Sequence, residues 1–308
     1  MSGPVTDLDA DTVPAAGDPV GDIEIMESRS ATVGAMAVRR ALPQRGRRTV
    51  GAWCFFDHAG PVDAASGESG IGPHPHIGLQ TVTWVLAGEL VHRDSLGSEQ
   101  PIRPGELNLM TAGRGIVHAE EHPVGGPVHI AQLWVAQPEA TRNAPPEFEH
   151  HGELPRLDLG GGSTATVLVG EVGGARSSAR RDSDHVGVDL ELSSDVELPA
   201  ERSFEYAVVP LEGVVQVEGR VAEPGHLVYL GLGRDEIRLR TPDRARAVLV
   251  GGVPFEEPIL MWWNYVARTR EEISAAHQEW TSRSERFTVP TSSLAPIDVD
   301  GPPWAPSD

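Results

Sequence analysis

The sequence predicts an all-β protein built as two similar barrels in one chain, with one short helix near the C-terminal end. Short apolar runs rich in β-branched and aromatic residues recur from Ile23 onward, and Gly, Pro and Asp separate them at intervals of about 8–12 residues. One pattern also occurs twice. Leu86-Ala-Gly88 followed by Pro104-Gly-Glu-Leu107 returns as Leu211-Glu-Gly213 followed by Pro224-Gly-His-Leu227, an offset of about 120–125 residues, the length of one small β-domain.

Taken in order, residues 1–22 are Asp, Ala, Pro, Gly and Thr with few large apolar side chains, and read as a flexible acidic tail, because they bury too little surface to offset ordering entropy. The N-terminal barrel follows over residues 23–145, with its clearest strand signals at 80–86, 105–110 and 128–135. The second barrel occupies 146–286, with strand signals at 204–209, 214–217, 226–230, 237–240 and 247–250, a regularity that suits a sandwich or barrel. Its helix is expected over 270–281: Thr269 can cap it, Glu272 can close a capping box, and Ile273, Ala276 and Trp280 fall on one face. Residues 287–308 are rich in Pro and Ser and read as an arm or tail.

Composition narrows the chemistry. Among 308 residues the net charge is −20 and all 25 basic residues are arginine, so Schiff-base catalysis, the P-loop lysine and any lysine base are excluded. The acidic field repels a phosphate backbone and argues against direct nucleic-acid binding. The one basic run, Arg45-Gly-Arg-Arg48, reads as a solvated hairpin. A lone Cys54 in the apolar run Trp53-Cys-Phe-Phe56 reads as a buried, inert thiol. An acidic N-terminus, with no apolar run of about 18 residues, points to a cytoplasmic protein without a membrane span.

Two short motifs carry metal chemistry. His74 and His76 in Gly72-Pro-His-Pro-His-Ile-Gly78, and His118 and Glu120 in Gly115-Ile-Val-His-Ala-Glu120, are each spaced i, i+2, which places both side chains of a pair on one face of a strand. Two such strands meeting inside a barrel would aim three imidazoles and a carboxylate at one point, a set that suits a divalent first-row ion with coordination positions left open. The competing expectation is that His74 and His76 are turn residues, because Pro73 and Pro75 interrupt a strand ladder.

These motifs resemble a known family. The stretches from His74 to Trp84, from His92 to Gly97 and from Pro104 to Glu120, together with Phe56-Asp-His-Ala-Gly-Pro61 and residues 257–268, are similar to the pirin family of bicupins over about residues 23–280. The resemblance implies two cupin barrels, of the double-stranded β-helix or jelly-roll type. It further implies iron held in the first by the residues matching His74, His76, His118 and Glu120. One divalent transition metal is therefore expected, Fe(II) first, with Mn, Ni, Cu and Zn as alternatives. Where many cupins carry a glutamate ligand this chain has Gln80, and the second barrel has Pro199, Glu201 and Arg238 at the positions matching the ligands, so one metal per chain is expected.

The function implied is a quercetinase-type dioxygenase that opens a flavonol ring with O2, the small aromatic substrate binding through its 3-hydroxyl and neighbouring carbonyl, with Glu120 as the base. The alternative is a non-enzymatic redox or metal sensor acting through a regulatory protein partner, a transcription factor or a metabolic enzyme. His58, His92, His122 and His129 are candidates to orient the ligand imidazoles, and Arg114 is a candidate contact for an anionic substrate. The aromatic run Trp262-Trp-Asn-Tyr265 is expected in the core between the barrels.

Overall fold

The computed structural model describes residues 23–34, 36–64, 69–122 and 126–304; the tail expected over residues 1–22 lies outside them. The first half of the chain forms β1 (Glu24–Glu27), β2 (Arg29–Val33), β3 (Met36–Leu42), β4 (Trp53–Ala64), β5 (Ser69–His76) and β6 (Leu79–Ala87). It continues through β7 (Leu90–Asp94), β8 (Glu99–Ile102), β9 (Leu107–Thr111), β10 (Ile116–His122), β11 (Gly126–Ala136) and β12 (Glu147–His151). A seven-stranded sheet in the order β12-β9-β6-β11-β4-β3-β2 and a four-stranded sheet in the order β5-β10-β7-β8 make the first barrel.

The second half repeats this arrangement with one seven-stranded and one four-stranded sheet. Strand β1 pairs with His226–Gly231 in the second seven-stranded sheet, while β12 pairs with β9 in the first, so each large sheet takes in a strand from beyond the expected division at residues 145/146. The helix α1 (Arg270–Thr281) begins where expected, with the Thr269 side chain accepting the Glu272 backbone N–H and Ile273, Ala276 and Trp280 buried.

Side-chain alternation on the strands separates two interiors. On β6, Val82 and Trp84 join Phe56 of β4 and Leu133 of β11 in a core shared with Ala207, Val209 and Val248 of the second half. Across that core Trp53 Nε1 donates to Val186 O (3.1 Å) and Gly251 O (3.2 Å), and the Gly51 amide donates to Glu205 Oε1 (2.6 Å). The second barrel is filled by apolar side chains, among them Val188, Leu190, Val208 and Leu239, and Pro199, Glu201 and Arg238 are exposed.

Two expectations need correction. In the basic run Arg45 is exposed as expected, but Arg47 is half-buried: its guanidinium covers the Tyr229 ring at 3.2 Å and pairs with Glu24 (3.2 Å), because the hairpin folds back onto β1 and the second sheet. The run Trp262-Trp-Asn-Tyr265 is not in the core between the barrels but is clustered with Ile77, Val117, α1 and Phe287. It forms a hairpin between Leu260–Trp262 and Tyr265–Ala267, laid against the first barrel. Among the described residues no helix is long and apolar enough to cross a membrane.

Candidate metal centre

Strand β5 is the edge of its sheet, and this is why Pro73 and Pro75 are compatible with a ladder. Only one side of β5 needs backbone donors, and there His74 sits opposite His118 and His76 opposite Ile116 on β10. The register shifts between His118 and Glu120, so β5 spends an extra residue across from β10. On the open side of β5, the Ile297 amide donates to Pro73 O (2.8 Å), and Gly72 packs so closely that a Cβ there would lie 2.1 Å from Ala295 O. The segment expected as an arm or tail therefore crosses the sheet edge and covers it.

All four motif residues are buried: His74 is 5% exposed, His76 1%, His118 1% and Glu120 6%. Donor atoms of His74, His76 and His118 lie within 4.8 Å of one another, and those of His92, His118 and Glu120 form a second, overlapping set. His118 thus joins the two groups. Glu120 sits on the His92 side, its Oε1 accepting from the Thr83 hydroxyl (3.0 Å), a hydroxyl that is also 3.1 Å from Gln132 Oε1.

The hydrogen bonds decide which ring nitrogens face inward. His74 Nδ1 donates to Gly72 O (2.8 Å) and His76 Nδ1 to Asn264 O (3.0 Å), leaving each Nε2 with a lone pair. His92 Nε2 donates to Asp94 Oδ2 (3.1 Å), so His92 Nδ1 accepts from His118 Nδ1 (3.4 Å) and frees His118 Nε2 as well. Burial, reinforced by the neighbouring imidazoles, holds His76 and His118 well below the ordinary histidine range, and burial pushes His74 down to about 4. The imidazoles are neutral at pH 7, the form that binds metals. Burial raises the Glu120 carboxyl, as expected for a carboxylate lacking a cation at hand.

His74, His76 and His118 fit one ion. Two imidazole nitrogens bound at about 2.1 Å and at a right angle stand roughly 3.0 Å apart, and His76 Nε2 and His118 Nε2 are 3.1 Å apart. The cluster opens into a cavity of about 90 Å³ walled by Phe55, Ile71, Leu90, Ile130, Trp134 and the arm residue Ile297. Such a mainly apolar pocket with a few convergent polar groups is the usual form of a small-molecule site.

The other candidates are dispersed. His58 bonds His129 (Nε2 to Nε2, 2.8 Å), and His129 pairs with Glu212 (3.1 Å). His122 lines the cavity, Gln80 donates to Thr111 Oγ1 (2.9 Å) outside the cluster, and Arg114 is exposed. Cys54 is fully buried, and burial pushes its thiol up to about 12. Missed from sequence were Thr83, Asp94 and Asn264. Thr83 had a usable signal, because it lies on the same face of β6 as Val85, whereas the Asn264 carbonyl arrives from a hairpin remote in the chain.

The pirin family profile matches residues 35–135, and the profile of the pirin C-terminal cupin domain matches residues 185–288. A Pseudomonas aeruginosa protein provisionally named quercetin 2,3-dioxygenase is 45% identical over 270 residues, covering 86% of this chain and 85% of its own. A pirin-like protein of Caulobacter vibrioides is 36% identical over 280 residues, covering 86% of this chain and 94% of its own. Among solved structures, a quercetin 2,3-dioxygenase of Acinetobacter baumannii matches with a TM-score of 0.88 at 43% identity, over 92% of this chain and 97% of that one.

Proposed function

The chain belongs to the pirin family, and from that premise we propose that it is a quercetinase-type dioxygenase opening a flavonol ring with O2. The ion would be a single Fe(II)-class metal held by His74, His76, His118 and Glu120. The observation that carries this reading is the set of neutral imidazoles, each with its outward nitrogen tied off, opening with Glu120 into an apolar cavity. A closed structural site would have no such cavity beside it.

A divalent ion there would lower the pKa of the flavonol 3-hydroxyl and stabilise its anion. Phe55 and Trp134, stacked on one another with ring centroids 4.0 Å apart, give the cavity an aromatic lining. Glu120 has Oε1 engaged by Thr83, so Oε2 is the atom left to take the 3-hydroxyl proton. Ile71, Leu90, Ile130 and Ile297 keep water from the anion once the ligand is seated.

The test is oxygen uptake with quercetin by protein reconstituted anaerobically with Fe(II), Mn(II), Ni(II) or Cu(II). Multiple turnovers that depend on metal and vanish in His118→Ala and Glu120→Ala are expected. Bound metal without turnover on any flavonol overturns the proposal.

A further inference from the structure

We propose that His122 is a positioning residue that accepts a hydrogen bond from a hydroxyl on the far end of the ligand, so that the cavity selects polyhydroxylated aromatics over their unsubstituted parents. The inference rests on the reading of this cavity as a flavonol site.

His122 follows His118 and Glu120 at two-residue intervals on β10, so it projects to the same inner face about 6.6 Å of strand beyond Glu120. It is 4% exposed and lines the cavity. Its Nδ1 donates to Glu89 O (3.2 Å), which makes Nε2 an acceptor in the neutral ring. That Nε2 is buried and has no partner among the described residues. An orphaned buried acceptor is costly and uncommon, and Leu90 and Ile130, which line the cavity with it, are apolar and have nothing to offer it. A ligand hydroxyl supplies the missing donor. Glu120, which takes the proton at one end of the ligand, and His122, which receives the other, then lie on a single strand, and a flat molecule spanning them is fixed in orientation.

The experiment compares quercetin with 3-hydroxyflavone, which keeps the 3-hydroxyl and carbonyl but lacks every other hydroxyl. Dissociation constants are measured by fluorescence quenching on anaerobic, metal-reconstituted protein, with melting temperatures as the folding control. His122→Phe is expected to weaken quercetin binding about tenfold, the usual cost of one lost hydrogen bond, and to leave 3-hydroxyflavone within about twofold. His122→Leu, which also lacks the acceptor, does the same where the larger ring disturbs packing, and His122→Gln keeps most of the preference. In turnover the loss falls on KM with kcat little changed. An unaltered quercetin preference in folded His122→Phe or His122→Leu overturns the inference alone. Failure of the unmodified protein to bind either flavonol removes the flavonol reading and this inference with it.

Discussion

Replacing Asp94 by Asn tests how the centre prepares its ligands without touching any of them. Asp94 Oδ1 accepts the Leu96 amide (2.8 Å) and the Ser98 amide (3.0 Å), and the Asn carbonyl can keep both, so the turn after β7 survives. The change falls on Oδ2. Burial alone would raise the Asp94 carboxyl, but the hydrogen bond from His92 and the Ser98 contacts hold it below the ordinary range, so at pH 7 it is an acceptor only. In Asp94→Asn the amide NH2 faces His92 Nε2 at the present 3.1 Å, and His92 must move its proton to Nδ1. Two N–H groups would then confront each other across the 3.4 Å between His92 and His118. His118 escapes by shifting its own proton to Nε2, the atom 3.1 Å from His76 Nε2 that has to carry a lone pair for the metal. Either the confrontation or the wrong tautomer costs about 1–3 kcal/mol, the penalty of one unsatisfied buried polar group. That corresponds to a loss in metal affinity of roughly 5- to 150-fold, in the range of outer hydrogen-bond partners in other metal sites. Affinity is read by competition against a chromophoric chelator at pH 7, and the metal-free melting temperature should move little. Unchanged affinity in a folded Asp94→Asn protein would refute the proton relay from Asp94 through His92 to His118.

Two further outcomes follow from buried charges. His185 is fully buried with its ring edge-on to Trp53, and burial pushes it down to about 4 from an ordinary 6.5. Its contribution to stability is intact above pH 6.5 and lost as the pH falls towards 4, so the stability of the native chain relative to His185→Phe should drop by about 3 kcal/mol across that window. Parallel denaturation curves at pH 7 and pH 4 check this, and a constant difference contradicts it. Arg40 and Asp57 form a two-pronged pair at 2.8 and 2.7 Å, each residue 4% exposed. Arg40→Met leaves a buried carboxylate alone and should cost about 3–5 kcal/mol, while Arg40→Met combined with Asp57→Leu should recover most of it. Urea midpoints for the two proteins decide, and equal losses would show that the pair contributes through packing rather than charge.

Whatever repeats at short range was legible in the sequence. An i, i+2 pair of ligand types reports one face of a strand regardless of what surrounds it, so the spacing of His74, His76, His118 and Glu120 was enough to forecast buried ligand types, of which His74, His76 and His118 meet. The cap at Thr269 and the buried face of α1 were legible for the same reason, since three- and four-residue spacing is a local property of a helix. The twofold recurrence around Gly88 and Gly213 foretold two halves of like construction. The rest depends on contacts between distant segments. No local spacing could show that β5 is an edge strand and so tolerates two prolines, or that Glu120 stands beside His92 and Thr83 rather than in the His74 and His76 set. Nor could it place Asn264 O on His76, or Ile297 in the cavity wall. Those contacts join segments far apart in the chain. They form only because the core around Trp53, Phe56 and Trp84 sets one barrel against the other, while the Trp262 cluster and α1 bring the hairpin and the arm onto the first barrel's open edge.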